Sequence, residues 1–394
     1  MIRMKKNIQK RKICFPITSR AYYGRVKFLL AELQRAPNIE LQVILGGTIP
    51  LDKYSQNLHA EIISTGLPIQ ETLFHSIDGG NHIAMAKTAA LIGLEFSNAI
   101  HKLNPDIVVV NGDRFEQLPI AMTAVYLNKM IAHIEGGDVT GSIDESIRHA
   151  ITKLSHAHFV TNEDSRKRVI RMGENPKYVF NVGSLDIETA SAVKKKLSAD
   201  FLKTHGTGDD IDISKQFIIV MYHPVTTQGA GKNWDHVAIL ADSIHKIGLP
   251  TVWFWPNGDA GTGEISEAIR HLRELDKNLM KGVRFVTNLP AEDFIALLKR
   301  AACCIGNSSS GIKECSYLGV PVVNMGSRQN NRLRGENVID VPDENARIIE
   351  VAVRKQLAHG PYASSKIYWK PRTAQRIVSV LRTMKLYTQK KFHG

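Results

Sequence analysis

Short apolar runs alternate with longer segments of helical periodicity along the first half of the chain. The apolar runs, which predict strands, cover residues 12–17, 40–45, 107–110, 130–134, 158–161 and 179–182. Segments with apolar residues three or four positions apart predict helices at 24–35, 82–103 and 146–154. This alternation of strand and helix is typical of a doubly wound parallel sheet.

The second half of the chain repeats the alternation. The segment after residue 185 is polar and lysine-rich, and new strands are then predicted at 217–220, 251–255, 283–286, 303–305 and 322–325. Helices are predicted between them at 236–247, 265–275, 291–299 and 312–318. The fold class is therefore α/β, with two Rossmann-like domains of parallel sheet that face each other across a cleft.

The domain boundaries follow from this pattern and from the length. A chain of 394 residues is too long for one ordinary core. We expect a Rossmann-like domain at 1–186, a linker at 187–214, and a second Rossmann-like domain, which binds a nucleotide, at 215–370. A C-terminal helix and tail at 371–394 are expected to return to the first domain.

Composition and charge limit the classes of partner. The net charge is +13, but the basic excess is scattered, with its densest run in the first twelve residues. That distribution suits an anionic small molecule, and we expect neither nucleic acid nor a membrane as a partner. The apolar run after the basic N-terminus contains Pro16 and Thr18 and is too short for a signal peptide, so it is interpreted as the first strand.

Two further observations place the chain in a reducing compartment. No apolar stretch is judged to reach the roughly 20 residues needed to cross a bilayer. The chain has four cysteines, all in apolar surroundings and without the spacing of metal ligands: Cys14, Cys303, Cys304 and Cys315. We expect them to be buried free thiols in the cytoplasm.

Ionisable side chains follow two neighbouring predicted strands, 107–110 and 130–134. The carboxyl ends of parallel strands face the ligand crevice, so these groups should converge on one cleft. Like charges held close together raise at least one pKa, which lets one group accept a proton while another donates it. The candidate acid and base groups are three carboxyl groups, with two arginines beside them: Asp113, Glu135, Asp144, Arg114 and Arg148.

A structural explanation exists for part of this cluster. Polar residues after strands often cap helices, and Ser142 followed by Glu145 fits a capping box. A capping role would explain Glu145 and would leave the three carboxyl groups unexplained.

The segment 305–314 predicts a phosphate site. A strand ends there, a Gly-Asn-Ser-Ser-Ser-Gly turn follows, and a helix begins near Ile312. Backbone amides at the helix start, with the hydroxyls of Ser308 and Ser309, suit an anion, although the serines could also be caps alone. Glu314 is placed to accept hydrogen bonds from ribose hydroxyls, or else is a first-turn acid favoured by the helix dipole.

Several common cofactor and metal motifs are missing from the sequence. No Gly-x-Gly-x-x-Gly follows the first strand and no P-loop motif occurs, so hydride transfer and P-loop chemistry are not expected. The histidines do not have the spacing of a zinc protease, and we expect no metal. His133 and His149 are interpreted as groups that orient the carboxylates.

Six motifs together resemble the hydrolysing UDP-N-acetylglucosamine 2-epimerases, a family that includes bacterial sialic-acid pathway enzymes and half of an animal bifunctional enzyme. The resemblance covers nearly the whole chain, and its longest run is HIEGGDVTGSIDESIRHAITKLSHAHFVTNE at 133–163. The other motifs are TSRAYYG at 18–24, NGDRFE at 111–116, HPVTT at 223–227, IGNSSSGIKE at 305–314, and GSRQNNR with GENV within 326–338.

The resemblance implies a GT-B-like fold, a cofactor-free reaction and a homodimer or homotetramer. UDP would leave C1 as the proton leaves C2, giving a 2-acetamidoglucal, which water then converts to N-acetylmannosamine for a sialic-acid-like sugar. The motifs match the family's catalytic groups at Asp113, Glu135, Asp144 and His223. They match groups that bind the nucleotide sugar at Arg20, Arg114, Asn257, Ser308, Ser309, Glu314 and Arg328.

The chain departs from the family pattern in three places. Tyr22 stands where the family has an acidic residue, and Thr48 lies in a segment that usually carries a histidine. Near the C-terminus, Trp369, Lys370 and Pro371 replace a glycine-rich pattern. The first two changes lie beside the sugar pocket, so they bear on the identity of the sugar.

Two other functions remain open at this point. One is hydrolysing epimerisation of a related nucleotide sugar, such as a UDP-2,4-diacetamido-2,4,6-trideoxy sugar. The other is a GT-B glycosyltransferase or a nucleotide-sugar-binding protein, which the same fold would support. A transferase has no evident need for Asp113, Glu135 and Asp144 together.

Overall fold

The computed structural model describes residues 10–51, 58–79, 81–225, 232–256, 261–276, 278–342 and 345–393. Seven parallel strands form the first sheet, in the order β3-β2-β1-β4-β5-β6-β7. They are β1 (Arg11–Ile17), β2 (Ile39–Leu45), β3 (Ile69–Thr72), β4 (Ile107–Asn111), β5 (Met130–Ile134), β6 (Ala157–Val160) and β7 (Val179–Asn181).

Helices cover both faces of this sheet. They are α1 (Arg20–Arg35), α2 (Leu58–Ser64), α3 (His82–Leu103), α4 (Gln117–Tyr126), α5 (Ile143–Leu154), α6 (Glu163–Arg171) and α7 (Leu185–Ala192). Phe15 of β1 packs in one core with α1, whereas the adjacent Cys14 packs in another with α3. Alternate residues of a strand point to opposite faces, so a strand covered on both sides is buried throughout, as β4 is.

The second sheet also has seven strands, in the order β14-β13-β12-β9-β10-β11-β8. They are β8 (Thr207–Gly208), β9 (Ile218–Met221), β10 (Thr251–Phe254), β11 (Val283–Val286), β12 (Cys303–Gly306), β13 (Val322–Met325) and β14 (Val338–Val341). All pair in parallel except the edge strand β8. The associated helices are α8 (Lys232–Ile247), α9 (Thr262–Leu275), α10 (Ala291–Leu298), α11 (Ser309–Ile312), α12 (Glu314–Leu318), α13 (Ala346–His359) and α14 (Thr373–Thr383).

The winding of the two sheets places the loops that could bind a ligand. In the first sheet the chain moves outward from β1 to β3 and then returns to the other side of β1 with β4. The second sheet does the same with β9, β11 and β12. Ligands bind where the strand order reverses, at the carboxyl ends of the strands, so the loops after β1, β4, β9 and β12 should form the site.

The predicted α/β fold with two facing Rossmann-like, GT-B-like sheets is confirmed. The strands β3, β8 and β14 were not predicted. All three are short strands near or at sheet edges, and the exposed or half-exposed residues of β3 and β8 lack the apolar pattern by which buried strands are recognised.

The segments that join the two halves are packed rather than free. Leu197, Leu202 and Ile211, in the stretch predicted as a linker, lie in a core with β9. The apolar residues Ile377 and Leu381 of α14 pack in the core formed by β1 and α1.

Helix α3 is an exception to the expectation that no apolar stretch is long enough to cross a bilayer. In the described part of the chain it is the one helix that, by length and composition alone, could cross a membrane, with a mean hydropathy of 1.2 over 18 residues. This helix was not predicted from the sequence to be long and apolar enough. This is weak evidence, because core helices pass the same test, and α3 packs Ile92, Phe96 and Ile100 against the first sheet.

Candidate active site

A cleft lies between the carboxyl ends of the two sheets and is lined by residues of both halves. Ten of the residues predicted to catalyse or bind line it together: Arg20, Asp113, Arg114, Glu135, Asp144, His223, Ser308, Ser309, Glu314 and Arg328. Asn257, another predicted binding residue, lies outside the described residues.

Asp113 follows β4 and is held by two side chains from other elements. A carboxylate oxygen accepts a hydrogen bond from Arg148 of α5, whose side chain is almost fully buried. The Tyr22 hydroxyl accepts hydrogen bonds from the backbone N–H groups of Asp113 (3.2 Å) and Arg114 (3.1 Å), and it lies 3.5 Å from the Asp113 carboxylate. Gly112 permits this approach, since at its φ of 76° a Cβ would lie 2.6 Å from the hydroxyl.

Glu135 follows β5 and carries its side chain toward the second half. Its φ of 66° is uncommon for a residue with a side chain, and the backbone is fixed by an N–H to Phe159 carbonyl bond of 2.8 Å. One carboxylate oxygen accepts from Ser184 at 3.1 Å and the other from Lys313 Nζ at 2.9 Å. The carboxylate is therefore oriented at both oxygens.

Asp144 lies in the first turn of α5, and its side chain is the most exposed among Asp113, Glu135 and Asp144. Ser142 donates a hydrogen bond to it at 2.9 Å, and Arg328 of the second half lies 3.9 Å away. This arrangement replaces the capping box predicted from Ser142 and Glu145. Glu145 accepts from the Thr140 N–H instead, at 2.6 Å, and the Ser142 hydroxyl donates to Asp144.

The pKa values of Asp113 and Glu135 are lowered, whereas the sequence predicted that a pKa in this cluster would be raised. Burial alone would raise the pKa of Asp113 and of Glu135, but the charge of Arg148 lowers the first below its usual range, and Lys313 with Arg25 lowers the second to about 2. The carboxyl group of the cleft with a raised pKa is that of Asp186, in the first turn of α7. Burial, with Glu135 and Glu314 nearby, raises its pKa to about 7 despite Arg25.

The second half supplies the serine turn and Glu314, which were predicted to bind a nucleotide. Ser308 caps α11 by accepting from the Ser310 N–H at 3.3 Å, so the capping role is real for this serine. Ser309 and Glu314 line the cleft beside it. Glu314 accepts from the Ser310 hydroxyl at 3.0 Å through Oε1, and its buried Oε2 has no hydrogen-bond partner among the described residues.

His223 and Arg328 are positioned by one asparagine. Asn307, at the end of β12, accepts from the His223 N–H and donates to the His223 carbonyl, both at 2.8 Å. Its own carbonyl accepts from Arg328 at 3.2 Å. The loop after β9 and the loop after β13 are thereby tied to the serine turn.

The two histidines expected to orient carboxylates act differently. His133 is buried, donates through Nε2 to the Gly112 carbonyl at 2.9 Å, and burial lowers its pKa to about 3. It supports the turn that carries Asp113 and does not touch the carboxylate. His149 lies 3.9 Å from Glu145 and does not line the cleft, so its predicted orienting role for the catalytic carboxylates is not seen.

Six charged residues that line the cleft were not predicted from the sequence: Arg25, Lys27, Glu61, Asp186, Lys313 and Arg332. Arg25 of α1 lies 3.2 Å from Asp186, and Arg332 lies 3.0 Å from Asp138. Lys313 lies between α11 and α12, adjacent to the predicted Glu314. Asp186 follows β7, so the rule that selected Asp113 and Glu135 could have found it.

The described residues contain no cluster of three or more His, Cys, Asp or Glu side chains arranged to hold a metal ion. The four cysteines are buried and free.

Three comparisons bear on this site. A protein-family model described as UDP-N-acetylglucosamine 2-epimerase matches residues 31–382. The chain is 33% identical over 383 residues to a UDP-N,N'-diacetylbacillosamine 2-epimerase (hydrolyzing) of Legionella pneumophila, covering 96% of this chain and 97% of that protein. It is 30% identical over 362 residues to a UDP-N-acetylglucosamine 2-epimerase of Neisseria meningitidis, covering 91% and 90%.

The fold matches solved structures over almost the whole chain. One is the UDP-GlcNAc 2-epimerase of Methanocaldococcus jannaschii in complex with UDP-GlcNAc and UDP, with a TM-score of 0.76, 16% identity, and coverage of 94% of this chain and 99% of that one. At this identity the likeness speaks for the fold.

Proposed function

Because the chain belongs to the UDP-N-acetylglucosamine 2-epimerase family, we propose that it is a hydrolysing 2-epimerase that converts UDP-GlcNAc and water to N-acetylmannosamine and UDP. The resemblance drawn from the sequence motifs is confirmed at the level of the family. The observation that carries the proposal is the meeting of Asp113, Glu135 and Asp144 in one cleft with the serine turn and Glu314 of the second half.

The reaction requires acid and base groups as well as groups that stabilise the charge of the diphosphate. In the first step a carboxylate takes the C2 proton while the C1–O bond breaks and UDP leaves, giving a 2-acetamidoglucal. In the second step water adds its hydroxyl to C1 and a proton returns to C2 from the opposite face, which inverts that centre. A positioned base, a positioned acid and charge stabilisation of the leaving diphosphate are therefore needed.

The residues of the cleft are assigned to these needs as follows. Glu135 and Asp113 flank the sugar side and exchange protons with C2, and Asp144 joins them from α5. Arg114, Arg328 and His223 face the diphosphate, where guanidinium groups pair well with phosphate oxygens. Glu314 accepts from the ribose hydroxyls through Oε2, which has no hydrogen-bond partner among the residues that the structure describes.

A second substrate is favoured by the sugar side of the cleft. Tyr22, Met85, Phe115 and Ile143 line this side and offer apolar surface. A 2,4-diacetamido-2,4,6-trideoxy sugar carries two methyl-bearing groups, at C4 and C6, that such surface would accept. The name of the Legionella pneumophila relative agrees with this candidate.

Incubation in deuterated water tests the function and separates the two substrates. We expect the protein with UDP-GlcNAc alone to release UDP and free sugar carrying deuterium at C2, because the returning proton comes from solvent. The same incubation with the UDP-diacetamido-trideoxy sugar gives the ratio of the two kcat/KM values. A glycosyltransferase leaves the C2–H bond intact and would release no C2-deuterated sugar, and a binding protein would retain the nucleotide sugar unchanged.

The nucleotide assignment has its own test. We expect Ser309→Ala combined with Glu314→Ala to weaken UDP binding by about 2 to 4 kcal/mol, from the loss of one phosphate contact and one charged hydrogen bond. Titration calorimetry measures the affinity, and Glu350→Ala on the outer helix α13 is the matched control. Unchanged UDP affinity in the folded double variant would place the nucleotide elsewhere.

A further inference from the structure

Lys313 crosses from the nucleotide side of the cleft to the sugar side. Its backbone lies between α11 and α12, next to Glu314. Its Nζ lies 2.9 Å from Glu135 Oε2 and 3.7 Å from Asp186 Oδ2, both in the first half of the chain. The lysine side chain is 4% exposed, so this ion pair is shielded from solvent.

Packing alone gives no reason for an ammonium group at this place. Ile312 and Tyr368 form a small apolar core beside Lys313, where an apolar side chain would pack without loss of hydration. Burial of a charge is costly unless the charge is paired, and here the two partners are carboxyl groups. The position of the ammonium is therefore explained by Glu135 and Asp186.

Charged groups reach Glu135 from each element packed around it. The cations are Arg25 of α1 and Lys313, and Lys313 is the one in direct contact. The acidic neighbours are Asp113 after β4 and Asp186 of α7, with Glu314 acting on Asp186. Removal of Lys313 would leave Glu135 with Arg25 as its nearby cation and with its acidic neighbours unchanged.

We propose that Lys313 is a positioning residue that fixes the orientation and ionisation of Glu135 from the segment that holds the nucleotide. This inference rests on the proposed function, in which Glu135 exchanges the C2 proton. The serine turn and Glu314 hold the nucleotide, and the same short stretch of backbone carries Lys313. Contacts that fix this backbone therefore fix the ammonium against Glu135, so nucleotide binding and the state of the carboxyl group depend on each other.

The pH dependence of turnover tests the proposal. We expect Lys313→Met to move the acidic limb of the kcat profile upward by about 1 to 3 pH units, since loss of a contacting cation raises a carboxyl pKa by about that amount. Lys313→Arg keeps the charge and should leave the limb near its original position. Lys246→Met, which removes a surface ion pair with Asp242, is the matched control and should change nothing.

Two outcomes would overturn the proposal, and they differ from failure of the function itself. An unchanged acidic limb in folded Lys313→Met, with the unaltered protein active, would leave Lys313 a packing residue only. A limb that shifts as far in Lys313→Arg as in Lys313→Met would also overturn it, because the charge that arginine keeps would then have no effect on Glu135. No UDP release by the unaltered protein would refute the proposed function and this inference with it.

Discussion

Glu135→Gln is expected to lower turnover of the nucleotide sugar about 100-fold or more while UDP binding is kept. Glutamine has the size of glutamate, and its one carbonyl oxygen can still accept from Lys313 while its amide N–H donates to the Ser184 hydroxyl, but it cannot take the C2 proton. UDP release and deuterium incorporation at C2 measure the rate, and calorimetry with UDP measures binding. Asp113→Asn and Asp144→Asn should behave alike.

Variants of the two arginines should behave differently from the carboxyl variants. Arg114→Met and Arg328→Met should weaken nucleotide-sugar binding as well as the rate, because contacts to a diphosphate act in both the ground state and the transition state. The assignment is supported if the carboxyl variants change kcat alone and the arginine variants change both kcat and the binding constant. Near-normal turnover in Glu135→Gln or Asp144→Asn would exclude proton exchange with C2 at that group and assign the step to another residue of the cleft.

The rule that polar residues collect at the carboxyl ends of parallel strands located most of the cleft from the sequence. It selected Asp113 after β4, Glu135 after β5 and Ser308 after β12, and the structure brings these three to one cleft. The rule works because strand direction is common to a parallel sheet, so sequence position along each strand already gives position in space. It needs no knowledge of side-chain contacts.

The same rule could not predict the ionisation of the carboxyl groups in the cleft. The sequence predicted that neighbouring carboxyl groups would raise a pKa among Asp113, Glu135 and Asp144. Their cations come from remote segments, Lys313 being 178 positions from Glu135 and Arg148 being 35 from Asp113. Which cation meets which carboxylate depends on how the two halves pack, and that is not written in local patterns.

Asp186 shows a different kind of miss. It follows β7 as Asp113 follows β4, but it lies in the first turn of a helix, where an acidic residue has an ordinary explanation. Its side chain is 2% exposed and both carboxylate oxygens lack hydrogen bonds among the described residues. Burial, which the sequence does not reveal for a helix-start acid, is what raises its pKa.

Arg148→Met is expected to destabilise the fold by about 3 kcal/mol at neutral pH, because it leaves the carboxylate of Asp113 without its buried partner. The estimate is at the lower end for broken buried pairs, since the Asp113 side chain is 25% exposed. Urea unfolding of the variant and of the unaltered protein gives the difference. Arg354→Met, which breaks an ion pair with Glu350 on the surface of α13, should cost about 1 kcal/mol or less.

The pH dependence fixes the cause of this loss. In the unaltered protein the pKa of Asp113 is depressed, so the pair contributes stability above the ordinary carboxyl pKa and loses it as pH falls through the folded value. Without Arg148, burial raises the pKa of Asp113, and ionisation then opposes folding. The stability difference should therefore be largest near pH 7 and shrink toward pH 4. Arg148→Met/Asp113→Asn, which removes the unpaired charge, should recover much of the loss, whereas a loss independent of pH and unrelieved in the double variant would assign it to the packing of the arginine stem.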